Sequence, residues 1–276
     1  MSTLTTSILN ALAENGIEAA EVETIKNGIT CRGFQIDTGT NVRPVVYYSP
    51  EETAEAFVEK VLQITSQPAP EIDANDLVNK ERLLNDTILC VQKQSNENLV
   101  KKEWLNLELY VRVMVDFPGK GNHGSIKISP QILNQAGLTA EELFNAARKN
   151  SIAKATIGTM AEALGAPEEL FTEIPFFVGT YDNKCHGAGI LALDEVLHSF
   201  CESRGYRRVW LLPSSTEEVL ILPTENADPA ELSAMVHDVN TSDGVVDPMI
   251  QLENCVYQYD DETQEVSIAS SYVRGC

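Results

Sequence analysis

The sequence predicts an α+β protein with mainly antiparallel sheets and packed helices, on three observations. Runs rich in β-branched and aromatic residues are joined by short turns instead of alternating with helices, which is how antiparallel sheets differ from parallel ones. Several helices are announced by capping residues placed ahead of an amphipathic pattern. Finally, 276 residues of 43% hydrophobic content can bury a sizeable core, in one large unit or two smaller ones.

Taken in order, an amphipathic helix is expected over about residues 3–14. "VETIKNGITCRGFQI" then sets Asn27-Gly28 between strand-like runs, the dipeptide a type I′ hairpin turn requires because both central residues take positive φ. "RPVVYY" supplies a third strand. In "SPEETAEAFVEKVLQI", Ser49 is the expected N-cap, Pro50 the first helical residue and Glu52 the return member of a capping box. Ala54, Phe57, Val58 and Val61 share the apolar face of that helix. The polar, twice proline-interrupted segment at 66–76 suits a linker. The expected organisation is a small α/β-hairpin unit over 1–66, a linker over 67–76 and a larger α+β unit over 77–276.

In the larger unit "DTILCVQKQ", "LNLELYVRVMVDF" and "GSIKIS" read as strands, the last two paired across a glycine-rich loop. Thr139 and Glu142 form a capping box for a helix over about 140–150, and a second helix is expected over 152–164. "IPFFVGTYD" and "GAGIL" read as a short strand pair around the turn "NKCH", followed by a helix over 191–204. "RVWLLPSSTEEVLILP" is a hairpin whose returning strand, apolar from Val219 to Leu222, belongs in a sheet interior. A helix capped by Asp228, with Pro229 and Glu231 in its first turn, and a final hairpin close the chain.

Forty-one acidic against twenty basic residues leave a net charge of −21, which repels nucleic acid phosphates and acidic membrane surfaces. The acid is uneven, with fourteen Asp/Glu against four Lys/Arg over residues 201–276 but five against seven over 101–150. The N-terminus lacks a basic n-region and an uninterrupted apolar stretch, and no run reaches a membrane span, so a cytoplasmic location is expected. Six scattered cysteines form no C-x-x-C pair and read as free thiols.

The loop "GKGNHG" at 119–124 matches G-x-G-x-x-G, but a strand rather than a helix follows it, so no dinucleotide site is expected. His198 and His237 fall off the apolar stripes Leu193, Val196, Leu197, Phe200 and Leu232, Met235, Val236, Val239, and are expected at the surface, His198 beside Asp194 and Glu202. His198 and Cys201 have the i, i+3 spacing of a metal pair, yet no second pair joins them, so neither a metal nor a cofactor is expected. His123 and His186 ride turns from which a cleft is within reach. Ser214 and Ser215 lack the flanking glycines of a nucleophile elbow and read first as turn residues.

"GAGILALDEVLHSFCESRG", "LPSSTEEVLILP" and "MVHDVNTSDGVVDPMIQLENCVYQYDDETQEV", with "AGLTAEELFNAARKNS" at the centre, resemble the bacterial family called domain of unknown function 5688, over roughly residues 10–268. The resemblance implies a cytoplasmic protein of gut-type anaerobes, often encoded in mobile elements, and carries across no activity, cofactor or catalytic residue. The reading that follows is a non-enzymatic interaction or accessory protein that meets another protein through an acidic surface. One alternative is an undescribed hydrolase or transferase using Ser214 or Ser215 with Glu218 and either His123 or His186. The other is a small-molecule binding module with a pocket between the two units.

Overall fold

The computed structural model describes residues 3–49, 51–66, 73–116, 123–171, 175–242 and 244–272. Helix α1 (Thr3–Glu14) leads into strands β1 (Ala19–Lys26), β2 (Ile29–Ile36) and β3 (Val45–Tyr47), an antiparallel sheet in that order. Asn27 and Gly28 turn between β1 and β2 at φ 50° and 75°, as the type I′ geometry demands. Helix α2 (Ala54–Thr65) covers the sheet with α1, and Ile8, Leu12, Phe34, Ile36, Phe57 and Val61 fill the space between them. The N-cap of α2 is Thr53 and not Ser49. The Ser49 and Glu52 contacts do form, but they close a separate turn one step earlier, and the helix starts where Thr53 accepts from the Ala56 N–H.

Two short helices, α3 (Ala74–Leu77) and α4 (Lys80–Asp86), precede β4 (Thr87–Lys93), β5 (Lys101–Trp104), β6 (Leu107–Asp116) and β7 (His123–Lys127). Strand β6 is the spine of this second sheet. It pairs with β4 along one side, and its other side is shared by β5, along Leu107–Tyr110, and β7, along Arg112–Asp116. Residues 67–72 of the expected linker and 117–122, which include the first four positions of the glycine-rich loop, lie outside the described residues.

After α5 (Pro130–Gln135), helix α6 (Ala140–Lys154) starts at the Thr139–Glu142 capping box. The helix expected over 152–164 is instead the end of α6, strand β8 (Ala155–Thr159) and α7 (Met160–Leu164). β-branched Thr156, Ile157 and Thr159 favour pairing with β9 (Phe177–Tyr181), and Thr159 with Glu162 builds its own capping box for α7. "GAGIL" is not the strand expected but part of a 3-10 helix over Gly187–Ala192. Its glycines explain why, because Gly187 lies against Thr180 and the Glu217 carbonyl, and Gly189 against the Leu89 carbonyl and the Tyr181 hydroxyl, with no room for a Cβ.

Helix α8 (Asp194–Arg204), β10 (Arg208–Leu212), β11 (Val219–Pro223), α9 (Pro229–Thr241), β12 (Cys255–Asp260) and β13 (Glu265–Ser271) complete the chain. The third sheet runs β13-β12-β10-β11-β9-β8, all antiparallel, with β11 inside it as its apolar run demands. Helix α9 buries Leu232 and Val236, whereas Met235 is 38% exposed. The stripe rotates so that two polar members find partners, Ser233 on the Ala230 carbonyl and Asn240 on Asn254.

One continuous core, including Leu89, Val111, Leu143, Ile190, Leu197 and Ile221, joins the second and third sheets to α6 and α8. The buried Tyr181 hydroxyl donates to the Leu89 carbonyl at 2.8 Å, and Ser151 accepts from the Leu89 N–H at 2.8 Å. No helix among the described residues is long and apolar enough to cross a membrane. Replacing Gly189→Ala is expected to lower unfolding stability by about 1–3 kcal/mol through overpacking, measured by urea denaturation. A variant as stable as the native chain would show that the 3-10 segment can retreat from β4.

Candidate functional site

Side chains alternate across a strand, and β6 uses both faces. Leu107, Leu109, Val111, Val113 and Val115 point into the core, while Tyr110 and Arg112 point the other way. Arg112 lies opposite Lys127 in the β6–β7 register and Met114 opposite Ser125, which brings Ser125 and Lys127 onto the same face as Arg112. The Arg112 Nε–H donates to Ser125 Oγ at 2.7 Å, its Nη1 to the Tyr110 hydroxyl at 3.3 Å and its Nη2 to the Ser125 carbonyl at 3.3 Å. Lys127 donates to Glu97 at 2.6 Å and to Gln92 Oε1 at 2.9 Å.

The turn after β9 brings His186 over this face, with its Nε2 3.1 Å from Ser125 Oγ. His186 holds the left-handed backbone at φ 60°, a conformation uncommon for a residue with a Cβ. Glu217 maintains it from both ends. Its carboxylate accepts the His186 N–H at 3.2 Å, and its carbonyl accepts the Gly187 N–H at 2.8 Å. The other carboxylate oxygen takes the Thr216 hydroxyl at 2.9 Å and lies 3.7 Å from His186 Nδ1.

That Nδ1 is buried and has no hydrogen-bond partner among the described residues. Facing a carboxylate, it is best occupied by the ring proton, which leaves Nε2 to accept the Ser125 hydroxyl. Ser125 Oγ then receives from a guanidinium and donates to an imidazole. Burial first, and then the positive charges of Arg112 and Lys127, push the His186 pKa down to about 3 from its ordinary 6.5. The ring is therefore neutral at physiological pH, with the Nε2 lone pair unprotonated.

Ser125, His186, Arg112 and Lys127 line a cavity of about 540 Å3. Its opposite wall comes from the β1–β2 hairpin (Thr24 to Asn27), Tyr47 and the loop 247–250. A volume of this size takes a small molecule. Arg112, Lys127 and Lys26 contribute three positive charges to the lining against the two carboxylates Glu97 and Asp247. Glu97 is engaged by Lys127, whereas Arg112 makes no ion pair with a described carboxylate side chain and feels Glu217 only at longer range.

Of the residues singled out from sequence, His186 enters this site. Ser215 is buried and its hydroxyl accepts the Glu217 N–H at 3.2 Å, and the Ser214 carbonyl accepts the Leu252 N–H at 3.0 Å. Both serines thus support the turn that carries Glu217. Glu218, its neighbour, is exposed, and His123 is placed as backbone in β7 opposite Asp116. His198 pairs with Asp261 at 2.8 Å rather than with Asp194 or Glu202, and His237 stacks on Tyr272. Sequence reading passed over Ser125, Arg112, Lys127 and Glu217. The signal available for three of them was the period-2 alternation in "LELYVRVMVD" and "SIKI", whose polar face reads by default as solvated.

Five described cysteines are free thiols, and no group of three or more His, Cys, Asp or Glu among the described residues is arranged to hold a metal. Fold and site together define an α+β protein with a locally cationic cavity where a small three-stranded sheet meets a larger sheet system. The chain belongs to a family described as a family of unknown function, DUF5688, whose model matches residues 2–261. No curated protein matches it, and no solved structure does.

Because the His186 pKa lies below its free value, the unfolded chain holds that proton and the native chain does not between pH about 3 and 6.5. Stability from this site is therefore complete above pH 6.5 and declines as the pH falls toward 3. Replacing His186→Asn, a residue that tolerates the left-handed backbone, is expected to flatten the acid limb of stability against pH by a few kcal/mol between pH 7 and 4. Chemical denaturation at each pH measures it, and an unchanged acid limb would contradict a neutral native imidazole.

Proposed function

We propose that this chain binds a small anionic molecule, a carboxylate or phosphate compound, in the cavity between an N-terminal unit (1–66) and a larger unit (77–276). The observation that carries the reading is Arg112, a part-buried guanidinium on the cavity wall whose hydrogen-bond partners among the described residues are a serine, a tyrosine hydroxyl and a backbone carbonyl. A part-buried cation with no carboxylate in direct contact among the described side chains is under-solvated, and a bidentate anion on its remaining N–H groups offsets that loss. Lys26 and Lys127 on the same wall add charge of the same sign.

The net charge of −21 favours a second reading, which the cavity does not oppose. In it the chain is also a bacterial, cytoplasmic accessory protein of a mobile element that meets a basic protein partner through its acidic surface. Pull-down at low salt tests this, and failure to recover a specific partner that salt releases would count against it.

For the cavity, the test is a thermal-shift screen of small carboxylates, phosphate esters and neutral analogues, followed by calorimetry on each hit. Acidic compounds are expected to raise the unfolding midpoint, by about 2.7 kcal/mol of stabilisation at a hundred times Kd. Arg112→Gln is expected to weaken binding at least about tenfold, equivalent to 1.4 kcal/mol. Binding of neutral compounds alone, or unchanged affinity in Arg112→Gln, would remove the reading.

A further inference from the structure

We infer that Ser125, His186 and Glu217 act as nucleophile, general base and orienting carboxylate in the hydrolysis of an ester that carries an anionic group, the anion being held by Arg112. The inference rests on the anion-binding reading of the same cavity and adds a reaction to it.

Geometry carries the argument. Ser125 and His186 both line the cavity, with Oγ and Nε2 3.1 Å apart, within the reach a nucleophile and its base require. His186 Nδ1 faces a Glu217 oxygen at 3.7 Å. That is longer than a hydrogen bond, as catalytic contacts often are before substrate closes the site. A purely structural histidine would not be expected to leave a buried ring nitrogen unpartnered beside a carboxylate, nor to occupy the left-handed region at φ 60°. The Arg112 Nε–H on Ser125 Oγ, at 2.7 Å, favours the oxygen as it loses its proton.

The chemistry balances without an added reagent other than water. The Ser125 hydroxyl proton passes to His186 Nε2 as Oγ bonds to the ester carbonyl carbon. Collapse breaks the bond from that carbon to the alcohol oxygen, which leaves with the proton from Nε2. Water then attacks the acyl-serine, gives one proton to Nε2, and releases the acid as Ser125 recovers that proton. Glu217 touches only the imidazole, so its role is positioning.

The probes are 4-nitrophenyl hydrogen succinate, its neutral counterpart 4-nitrophenyl acetate, and a fluorophosphonate that labels activated serines, all used on the full chain. The anionic ester is expected to be hydrolysed faster than the neutral one, and Arg112→Met to erase the preference. Peptide mass spectrometry is expected to find the phosphonyl adduct on Ser125. Turnover and adduct should vanish in Ser125→Ala, and turnover should fall about 100-fold or more in His186→Asn, with folding of both checked by circular dichroism. Glu217→Gln should lower kcat while leaving KM unchanged, a split that a merely structural contact would not give. No adduct on Ser125, an adduct on Ser214 or Ser215 instead, or undiminished turnover in Ser125→Ala would overturn the inference. Calorimetry with succinate separates the two claims. Succinate binding without turnover leaves the cavity reading standing and ends the hydrolytic one, and turnover without any preference for the anionic ester overturns the inference as stated together with the anion reading it rests on.

Discussion

Because side chains alternate across a strand, residues 107–116 must satisfy two environments at once, and the rest of the molecule is arranged around that demand. One face of β6 sends Leu107, Leu109, Val111, Val113 and Val115 into the core, none more than 5% exposed. A slip of one residue would turn Arg112 toward the core and apolar side chains toward the face that lines the cavity, so burial fixes the register. The site inherits that accuracy. Arg112, Ser125 and Lys127 stand in fixed relation because the pairing that positions them also seals the core behind them.

The second constraint is how the loops meet. Asn27, whose turn requires positive φ, is also 3% exposed and spends its amide on two distant segments, donating to the Gln251 carbonyl and accepting the Lys93 N–H at 2.8 Å. The Gln251 segment in turn clasps the hairpin turn 213–218, through Thr216 N–H on the Ile250 carbonyl at 2.8 Å and Leu252 N–H on the Ser214 carbonyl at 3.0 Å. Glu217 on that turn then holds the His186 backbone. A chain of hydrogen bonds, through the Asn27 amide, backbone pairs and the Glu217 carboxylate, therefore runs from the N-terminal hairpin to the backbone of His186. The cavity wall that the hairpin supplies is tied to the chemistry opposite it, as a preorganised site requires.

What the sequence makes legible is what local chemistry decides. Asn27-Gly28, the Thr139–Glu142 box and the Asp228–Pro229 start each encode their geometry within four residues, and each is found in place. Ala155–Thr159 escapes because a short segment after a helix takes its conformation from a partner strand twenty residues away. "GAGILA" escapes because its glycines answer to contacts with Thr180 and Leu89, not to their neighbours in sequence. The site is harder still. Its members come from β6, β7, the turn at 186 and the turn at 217, and nothing in sequence distinguishes Glu217, turned toward His186, from Glu218, turned to solvent. Ser214 and Ser215 stand out as an adjacent pair on a turn, whereas Ser125 is one polar residue of an alternating strand.

The electrostatics of the cavity explain why so acidic a chain can still favour an anion. A net charge of −21 repels anions at a distance, but at physiological ionic strength exposed charges are screened beyond about 8 Å. Inside the cavity the nearer charges decide, and its lining carries three cationic side chains against two carboxylates, with Glu217 set behind His186. One of those carboxylates is already neutralised by Lys127 at 2.6 Å, so the field at Arg112 is that of a cation in a poorly solvated wall. Burial, and then this field, hold His186 neutral, whereas an anion on Arg112 offsets the repulsion part of that penalty. Recognition of an anion and a neutral resting imidazole thus share one setting, a buried wall on which β6 turns a guanidinium away from the core.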